Sequence, residues 1–212
     1  MTNKHIPIKA KEAILPTKQD PFFKLKVSLG ILIGSFAFII YALGISNNYT
    51  ADDHFVTDQN DVIKSGLAGI PTILSTDYLY GYDHGVISGP VYRPTSLIMF
   101  DLEWNLFPDN PHIFHFMNVL LFAITCWILF LLLCHLYEQK FKTLGMLFPF
   151  ICAILYAAHP IHTEVVDNIK SRDEILCFLF GILSIFFVVK SVSNMFYQNL
   201  FLGCFFYFLS TL

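Results

Sequence analysis

Residues 27–45 and 113–137 of this chain each run without an Asp, Glu, Lys or Arg. About 20 such apolar residues are what a helix needs to cross the hydrocarbon of a bilayer. Two shorter charge-free runs follow at 143–158 and 175–189, and a further apolar run opens at residue 200 and continues to Leu212. In lipid the backbone must satisfy its own hydrogen bonds within the segment, so runs of this kind fold as helices. The sequence therefore predicts an all-α membrane protein: a polytopic helical bundle of four complete spans plus a truncated fifth. Composition points the same way, with 55% hydrophobic residues, 14% charged residues and 23 phenylalanines in 212 residues. A soluble domain with that balance would aggregate, and no nucleic-acid partner is expected. Cys126, Cys134, Cys152, Cys177 and Cys204 all sit inside apolar runs with no CxxC spacing, so they read as small buried hydrophobes and not as a disulfide or zinc framework.

The spans divide the chain into a basic tail (1–26), a first span (27–45), a long polar segment (46–112), spans at 113–137 and 143–158, a second polar segment (159–174), a span at 175–189, and the start of a fifth at 200–212. The long polar region before the first run, without a small-x-small cleavage pattern, suits a retained signal anchor. Orientation follows from the lysines and arginines. With the N-terminus in the cytosol, nine of the 13 basic residues fall on the cytosolic side: six in the tail, Lys140 and Lys142, and Lys190. Thirteen of the 16 acids then fall on the opposite side. A hydrophobic run that stops at Leu212 partway across is expected of a fragment of a longer chain.

Both polar segments thus face the non-cytosolic compartment. The first carries Phe55, Val62, Ile63, Leu67, Ile70, Ile73, Leu74, Tyr78 and Tyr80 between glycines and prolines, a pattern of short helices joined by turns. Residues 94–107 predict a helix with proline at its first turn. Its Leu97, Phe100, Trp104 and Phe107 form a stripe at spacings of three and four, which is expected to lie in the membrane interface. Asp52 and Asp53 stand just beyond the first span. A partly desolvated carboxylate there can act as a general base; the plainer reading is an N-cap for the next helix. Asn48-Tyr49-Thr50 fits an N-glycosylation acceptor on that side.

The second polar segment packs His159, His162, Glu164, Asp167, Lys170, Arg172, Asp173 and Glu174 between two spans. Ser171 and Glu174 match a helix-opening capping box, and Glu164 and Asp167 share one face of a short helix begun at Pro160. His159, His162 and Glu164 are a loose set of imidazole and carboxylate ligands for a divalent cation. Lys170 and Arg172 suit either a phosphate or interfacial ion pairs.

Taken together, Asp52-Asp53-His54, Tyr92-Arg93-Pro94-Thr95-Ser96, Asn110-Pro111 with His115 to Asn118, His159-Pro160-Ile161-His162-Thr163-Glu164 and Ser171-Arg172-Asp173-Glu174 resemble the transmembrane and tetratricopeptide-repeat-containing O-mannosyltransferases, protein O-mannosyltransferase-like members of the glycosyltransferase C superfamily. The resemblance runs from about residue 27 to 190 and covers the N-terminal part of the family pattern; no 34-residue repeat periodicity occurs in this chain. It implies a multi-pass enzyme of the endoplasmic reticulum or bacterial inner membrane. Such an enzyme transfers a sugar, mannose by the family's name, from a polyprenyl- or dolichyl-phosphate carrier to a Ser/Thr hydroxyl of a protein acceptor, with inversion. It also implies no tightly bound cofactor, a catalytic base at Asp52 or Asp53, and a donor phosphate and sugar site from Arg93, His159, His162, Glu164, Asp167, Lys170 and Arg172. The N-terminal part alone is expected to be inactive. Two other classes remain: a transporter or channel subunit, which needs ionisable groups inside its spans, and a catalytically inactive membrane scaffold. The spans carry their charges at their ends, which favours surface chemistry over conduction.

Overall fold

A computed structural model describes residues 22–86, 91–137, 145–193 and 195–212. Among these residues there is no strand; the order is α1 (Phe23–Tyr41, extended by a 3-10 turn, Ala42–Ser46), a 3-10 turn (Ala51–Val56), α2 (Asp61–Lys64), a 3-10 turn (Gly66–Gly69), α3 (Ile70–Ile73), α4 (Tyr80–Asp83), α5 (Pro94–Leu106), α6 (Pro111–Tyr137), α7 (Leu147–Ala157), α8 (His162–Asp167), a 3-10 turn (Ile169–Ser171), α9 (Arg172–Ser193) and α10 (Phe196–Ser210). Among the described residues three helical segments are long and apolar enough to cross a membrane: Phe23–Ser46, Pro111–Tyr137 and Ile169–Val192. They support the all-α membrane protein expected and match the predicted spans at 27–45, 113–137 and 175–189. The helix inside the predicted 143–158 span is the 11-residue Leu147–Ala157, about 16 Å long at 1.5 Å per residue against a hydrocarbon core of about 30 Å. The start of that span, the predicted tail 1–21, and Lys140 and Lys142 lie outside the described residues.

Close approach of small residues sets the packing of the long helices. Ile33, Ala37 and Tyr41 of α1 meet Val119, Phe122, Ala123, Cys126 and Phe130 of α6 in one buried cluster, which Ala153 and Ala157 of α7 join. Gly30 and Gly34 make that approach possible: a Cβ on Gly30 would strike the Trp127 ring, and one on Gly34 would lie 3.3 Å from the Ala123 carbonyl. Association of this kind in lipid rests on van der Waals fit, since the hydrocarbon outside is as apolar as the side chains. α9 packs on α6 through Leu132, Leu179 and Ile182. α10 lies along α9, where the Ser184 hydroxyl donates to the Gly203 carbonyl at 2.8 Å. The outward faces are apolar too, as Leu43 at 85% exposure and Phe201 at 70% illustrate, which suits a lipid surround and not water.

Residues 47–86 and 91–110 fold into a small helical cap with its own core of Val56, Ile63, Ile73, Tyr78, Leu97 and Phe100, closed by Phe114 of α6 and Ile169 of the second polar segment. The α5 stripe is covered by protein: Leu97 and Phe100 are buried in the cap core, Trp104 packs against it, and Phe107 is 47% exposed. The period was right, and the partner is protein. Burying such side chains stabilises by about 1.5–3 kcal/mol each, enough to hold short helices that would not form alone. The N-cap bonds are also local: Asn60 Oδ1 accepts from Ile63 N at 3.0 Å, and its amide donates to the Phe55 carbonyl at 2.9 Å.

One buried group opposes this packing. Asp101 of α5 is fully buried, and neither carboxylate oxygen has a hydrogen-bond partner. Burial pushes its pKa up to about 6. A carboxyl held above its unfolded value near 3.9 favours folding while protonated, and that advantage is lost as pH rises through 6. Asp101→Asn is therefore expected to stabilise the cap by about 1–3 kcal/mol at pH 7.5, with the gain shrinking as pH falls toward 4. Thermal unfolding in detergent across that range checks this; equal melting of the two proteins at pH 7.5 counts against it.

Candidate active site

The two polar segments meet at one end of the helices, where α1 and α7 end and α6 and α9 begin. Tyr41 at the end of α1 donates through its hydroxyl to the His159 carbonyl at 3.3 Å, and His112 Nδ1 lies 2.9 Å from the Ile45 carbonyl. Gly44 permits a close pass, since a Cβ there would collide with the Asp167 carboxylate. That carboxylate is half-buried, and burial raises its pKa, offset by His115.

Asp52 and Asp53 are neighbours in sequence with different fates. Asp53 is fully buried. Its Oδ2 accepts from the backbone N–H of Thr50 at 3.0 Å and from the Thr50 hydroxyl at 3.1 Å, and its Oδ1 accepts from Lys170 N–H at 3.1 Å. Thr50 and Asp53 thus form a reciprocal capping box on the 3-10 turn Ala51–Val56, and the carboxylate also ties the first polar segment to the second. Asp52 points outward with its side chain 48% exposed and pairs with Lys170 Nζ at 2.8 Å. Lys170 therefore serves both: its backbone N–H donates to Asp53 and its ammonium to Asp52.

Arg172 is the buried centre. It has no solvent exposure; its Nε donates to Asn118 Oδ1 at 2.7 Å, one terminal nitrogen donates to Glu103 Oε1 and the other to the Phe114 carbonyl at 2.9 Å, while the guanidinium lies 4.3 Å over the Phe100 ring. Asn118 in turn donates to the Asn168 carbonyl at 2.9 Å. Burial pushes the Glu103 carboxyl upward, and the guanidinium pulls it back down. With its nitrogens bonded and its face covered, Arg172 ties α5, α6 and α9 together.

Arg93, just before α5, lies on the surface. It pairs with Asp173 at the start of α9, and its guanidinium stands 5.9 Å from the Tyr78 ring centroid. Tyr78, itself buried, donates to the Lys170 carbonyl at 3.2 Å, so one side chain touches both Arg93 and the Lys170 backbone. Beside Arg93 opens a groove of about 570 Å³. Its mouth carries Arg93, Asp173 and Glu174, and its walls run down the apolar face of α9 (Leu176, Phe178, Gly181, Ile182) to the end of α10.

The remaining predicted residues are dispersed. His162 is half-buried against Tyr156 and Phe122, with ring centroids 4.3 and 5.1 Å away, and burial lowers its pKa. Glu164 and His159 are exposed, and the His159 and His162 rings lie 6.1 Å apart. Among the described residues, no three His, Cys, Asp or Glu side chains are grouped to hold a metal ion; the loose His159, His162 and Glu164 set is not gathered. α9 opens at Arg172, directly after Ser171, and Asn168 Oδ1 accepts from Lys170 N–H at 3.1 Å to cap the 3-10 turn before it. Asn118, Glu103 and His115 were not among the predicted site residues. His115 and Asn118 carry a legible signal, two polar side chains in the first turns of an apolar span.

The fold defines a polytopic all-α membrane protein with its polar chemistry gathered at one end of the bundle. No protein-family model matches the chain and no solved structure matches significantly. Among curated proteins it is 29% identical to mouse protein O-mannosyl-transferase TMTC1 over 150 residues, 70% of this chain and 15% of that protein. It is 29% identical to mouse protein O-mannosyl-transferase TMTC2 over 163 residues, 72% of this chain and 18% of that protein, and 26% identical to a Caenorhabditis elegans protein O-mannosyl-transferase over 192 residues, 89% of this chain and 27% of that protein. The chain is similar to these protein O-mannosyl-transferases over most of its own length and spans between 15% and 27% of theirs.

The Arg172 cluster yields a stability test. Removing one partner of a buried, hydrogen-bonded ion pair costs about 3–5 kcal/mol, whereas replacing both by apolar side chains of similar volume is often neutral. Arg172→Met is expected to lower the melting temperature and the yield of folded protein sharply, and Arg172→Met with Glu103→Met to recover most of the loss. Melting of the single variant at the parental temperature contradicts this arrangement.

Proposed function

We propose that this chain forms the donor and base half of an O-mannosyltransferase that moves a sugar from a polyprenyl- or dolichyl-phosphate carrier to a Ser/Thr hydroxyl on the non-cytosolic side. The supporting observation is the pairing of one outward, half-exposed carboxylate, Asp52, with a cation on the second polar segment, Lys170. Arg93, joined to the Lys170 backbone through Tyr78, stands at the mouth of an apolar groove. Of the two adjacent acids, Asp52 is the base. Asp53 has both oxygens engaged by Thr50 and Lys170 and positions the segment that carries Asp52.

The acceptor hydroxyl oxygen attacks the anomeric carbon while its proton passes to the Asp52 carboxylate. The bond from the anomeric carbon to the phosphate oxygen breaks, the lipid phosphate leaves with the electron pair, and configuration inverts. General-base help contributes about 10²–10⁴ in rate. The growing phosphate charge needs cations aimed at it in advance, and Arg93 and Lys170 supply them, because Arg172 is committed to Glu103, Asn118 and Phe114. The groove along α9 takes the isoprenoid tail, which suits its apolar wall. The chain crosses the membrane with its N-terminus in the cytosol, and α7 and α10 complete the alternation as short, protein-supported spans.

The test uses membranes from cells expressing the whole protein, with labelled sugar on a lipid-phosphate donor. Asp52→Asn is expected to cut transfer by about 10²–10⁴ at normal protein levels, while Asp53→Asn lowers the amount of folded protein. Undiminished transfer by Asp52→Asn removes the base assignment. For topology, cysteines introduced by Asp58→Cys and Glu164→Cys are expected to react with an impermeant reagent from the same, non-cytosolic side; labelling from opposite sides dissolves the shared site.

A further inference from the structure

Tyr78 has no task in the chemistry above, yet it meets both of the surface cations that the chemistry uses. It is 4% exposed, within the cap core. Its hydroxyl donates to the carbonyl of Lys170, 92 positions away in sequence. The Ser96 hydroxyl makes a side-chain hydrogen bond with the same phenol and donates to the Arg93 carbonyl at 3.2 Å. The Arg93 guanidinium stands 5.9 Å from the Tyr78 ring centroid, at the outer edge of the about 6 Å over which an aromatic face holds a cation. The Tyr78 N–H donates to the Val91 carbonyl at 2.8 Å, which anchors the approach to Arg93. Burial pushes the phenol's pKa up, and Arg93 only partly offsets this, so the hydroxyl keeps its proton and remains a donor. Two buried hydroxyls and one ring thus connect the backbone that carries the Lys170 ammonium to the backbone that carries the Arg93 guanidinium.

We infer that Tyr78 is a positioning residue, fixing the spacing of the two cations by holding the Lys170 backbone with its hydroxyl and the Arg93 guanidinium against its ring. This rests on the role given to Lys170 and Arg93 above. Both cationic side chains reach solvent, 33% exposed for Lys170 and 46% for Arg93, where they pair with Asp52 and Asp173. Ion pairs at a surface hold their geometry weakly. Cations that stabilise a leaving phosphate act only when aimed before its charge grows, and a shift of about 1 Å costs about 10²-fold in rate. Tyr78 supplies the missing rigidity from below. It touches neither donor nor acceptor and works through the residues it holds.

The experiment measures transfer in membranes carrying the whole protein, with labelled dolichyl-phosphate mannose as donor and turnover expressed per folded protein. Tyr78→Phe keeps the ring beside Arg93 and deletes the tether to Lys170. Its kcat is expected to fall about tenfold with KM for the donor within about twofold of the parent, the split left by losing an interaction made only in the transition state. Lys170→Met removes the ammonium that the tether aims. In that background Tyr78→Phe is expected to cost less than about twofold more, since groups that act through one another are not additive. A tyrosine that only supports the fold would cost the same factor on both backgrounds. Parental kcat in Tyr78→Phe, or an equal loss with and without Lys170, overturns the positioning role and leaves the donor reading standing. Where Tyr78→Phe yields no folded protein, Ser96→Ala, which frees the Arg93 carbonyl, meets the same test against Arg93→Met. Parental transfer by both Lys170→Met and Arg93→Met overturns the assignment of the cations, and the positioning role with it.

Discussion

A guanidinium with no solvent access is the constraint around which the polar end of this molecule is arranged. Taking a cation out of water costs several kcal/mol unless charge and hydrogen bonds replace the lost hydration. Arg172 finds its replacement in three places: Glu103 on α5, and Asn118 and the Phe114 carbonyl on α6. None of these partners can move without leaving a charge or an amide unpaired in a dry interior. The cap helix α5, the entry of the second long helix and the entry of α9 are therefore locked together. Two residues upstream, Lys170 is placed by that lock where its N–H meets Asp53 and its ammonium meets Asp52.

The adjacent acids show how one position in sequence can divide structural work from chemistry. Consecutive side chains on a helical turn point in different directions. Asp53 turns inward, where three hydrogen bonds satisfy it, and Asp52 turns outward with a single ammonium partner. The buried acid fixes the backbone and the exposed one keeps a face open, the division of labour that the base proposed at Asp52 requires.

Much of this was legible in the sequence. Absence of charge over 27–45 and 113–137 fixes helices because lipid leaves the backbone no other partner, and the segment boundaries follow from where charges resume. The short helices between Gly66 and Gly85, and α5 opening at Pro94, follow from glycine, proline and a period of three and four. The destination of the α5 stripe was not legible. A period identifies the apolar face of a helix and is silent on whether lipid or Val56, Ile63 and Phe114 will cover it. The role of Arg172 was hidden for a related reason: a cation in a polar segment looks the same whether it awaits a phosphate or is already neutralised by a residue 69 positions away. Long-range pairing is what a single sequence does not carry.

Placing the chemistry at the end of the bundle also explains the character of the helices below it. Conduction or transport across a bilayer needs ionisable groups at depth, whereas α1, α6 and α9 meet through buried apolar side chains such as Ile33, Ala37, Phe122, Leu132 and Leu179. Tyr41 near the end of α1, His115 and Asn118 near the start of α6 and Arg172 at the start of α9 join the polar end. Helices packed this tightly make a stiff, dry platform whose only demand on sequence is fit. That leaves the polar segments at its end free to specialise, and in the proposed transfer the groove beside α9 is the route by which an apolar chain in the bilayer reaches Arg93.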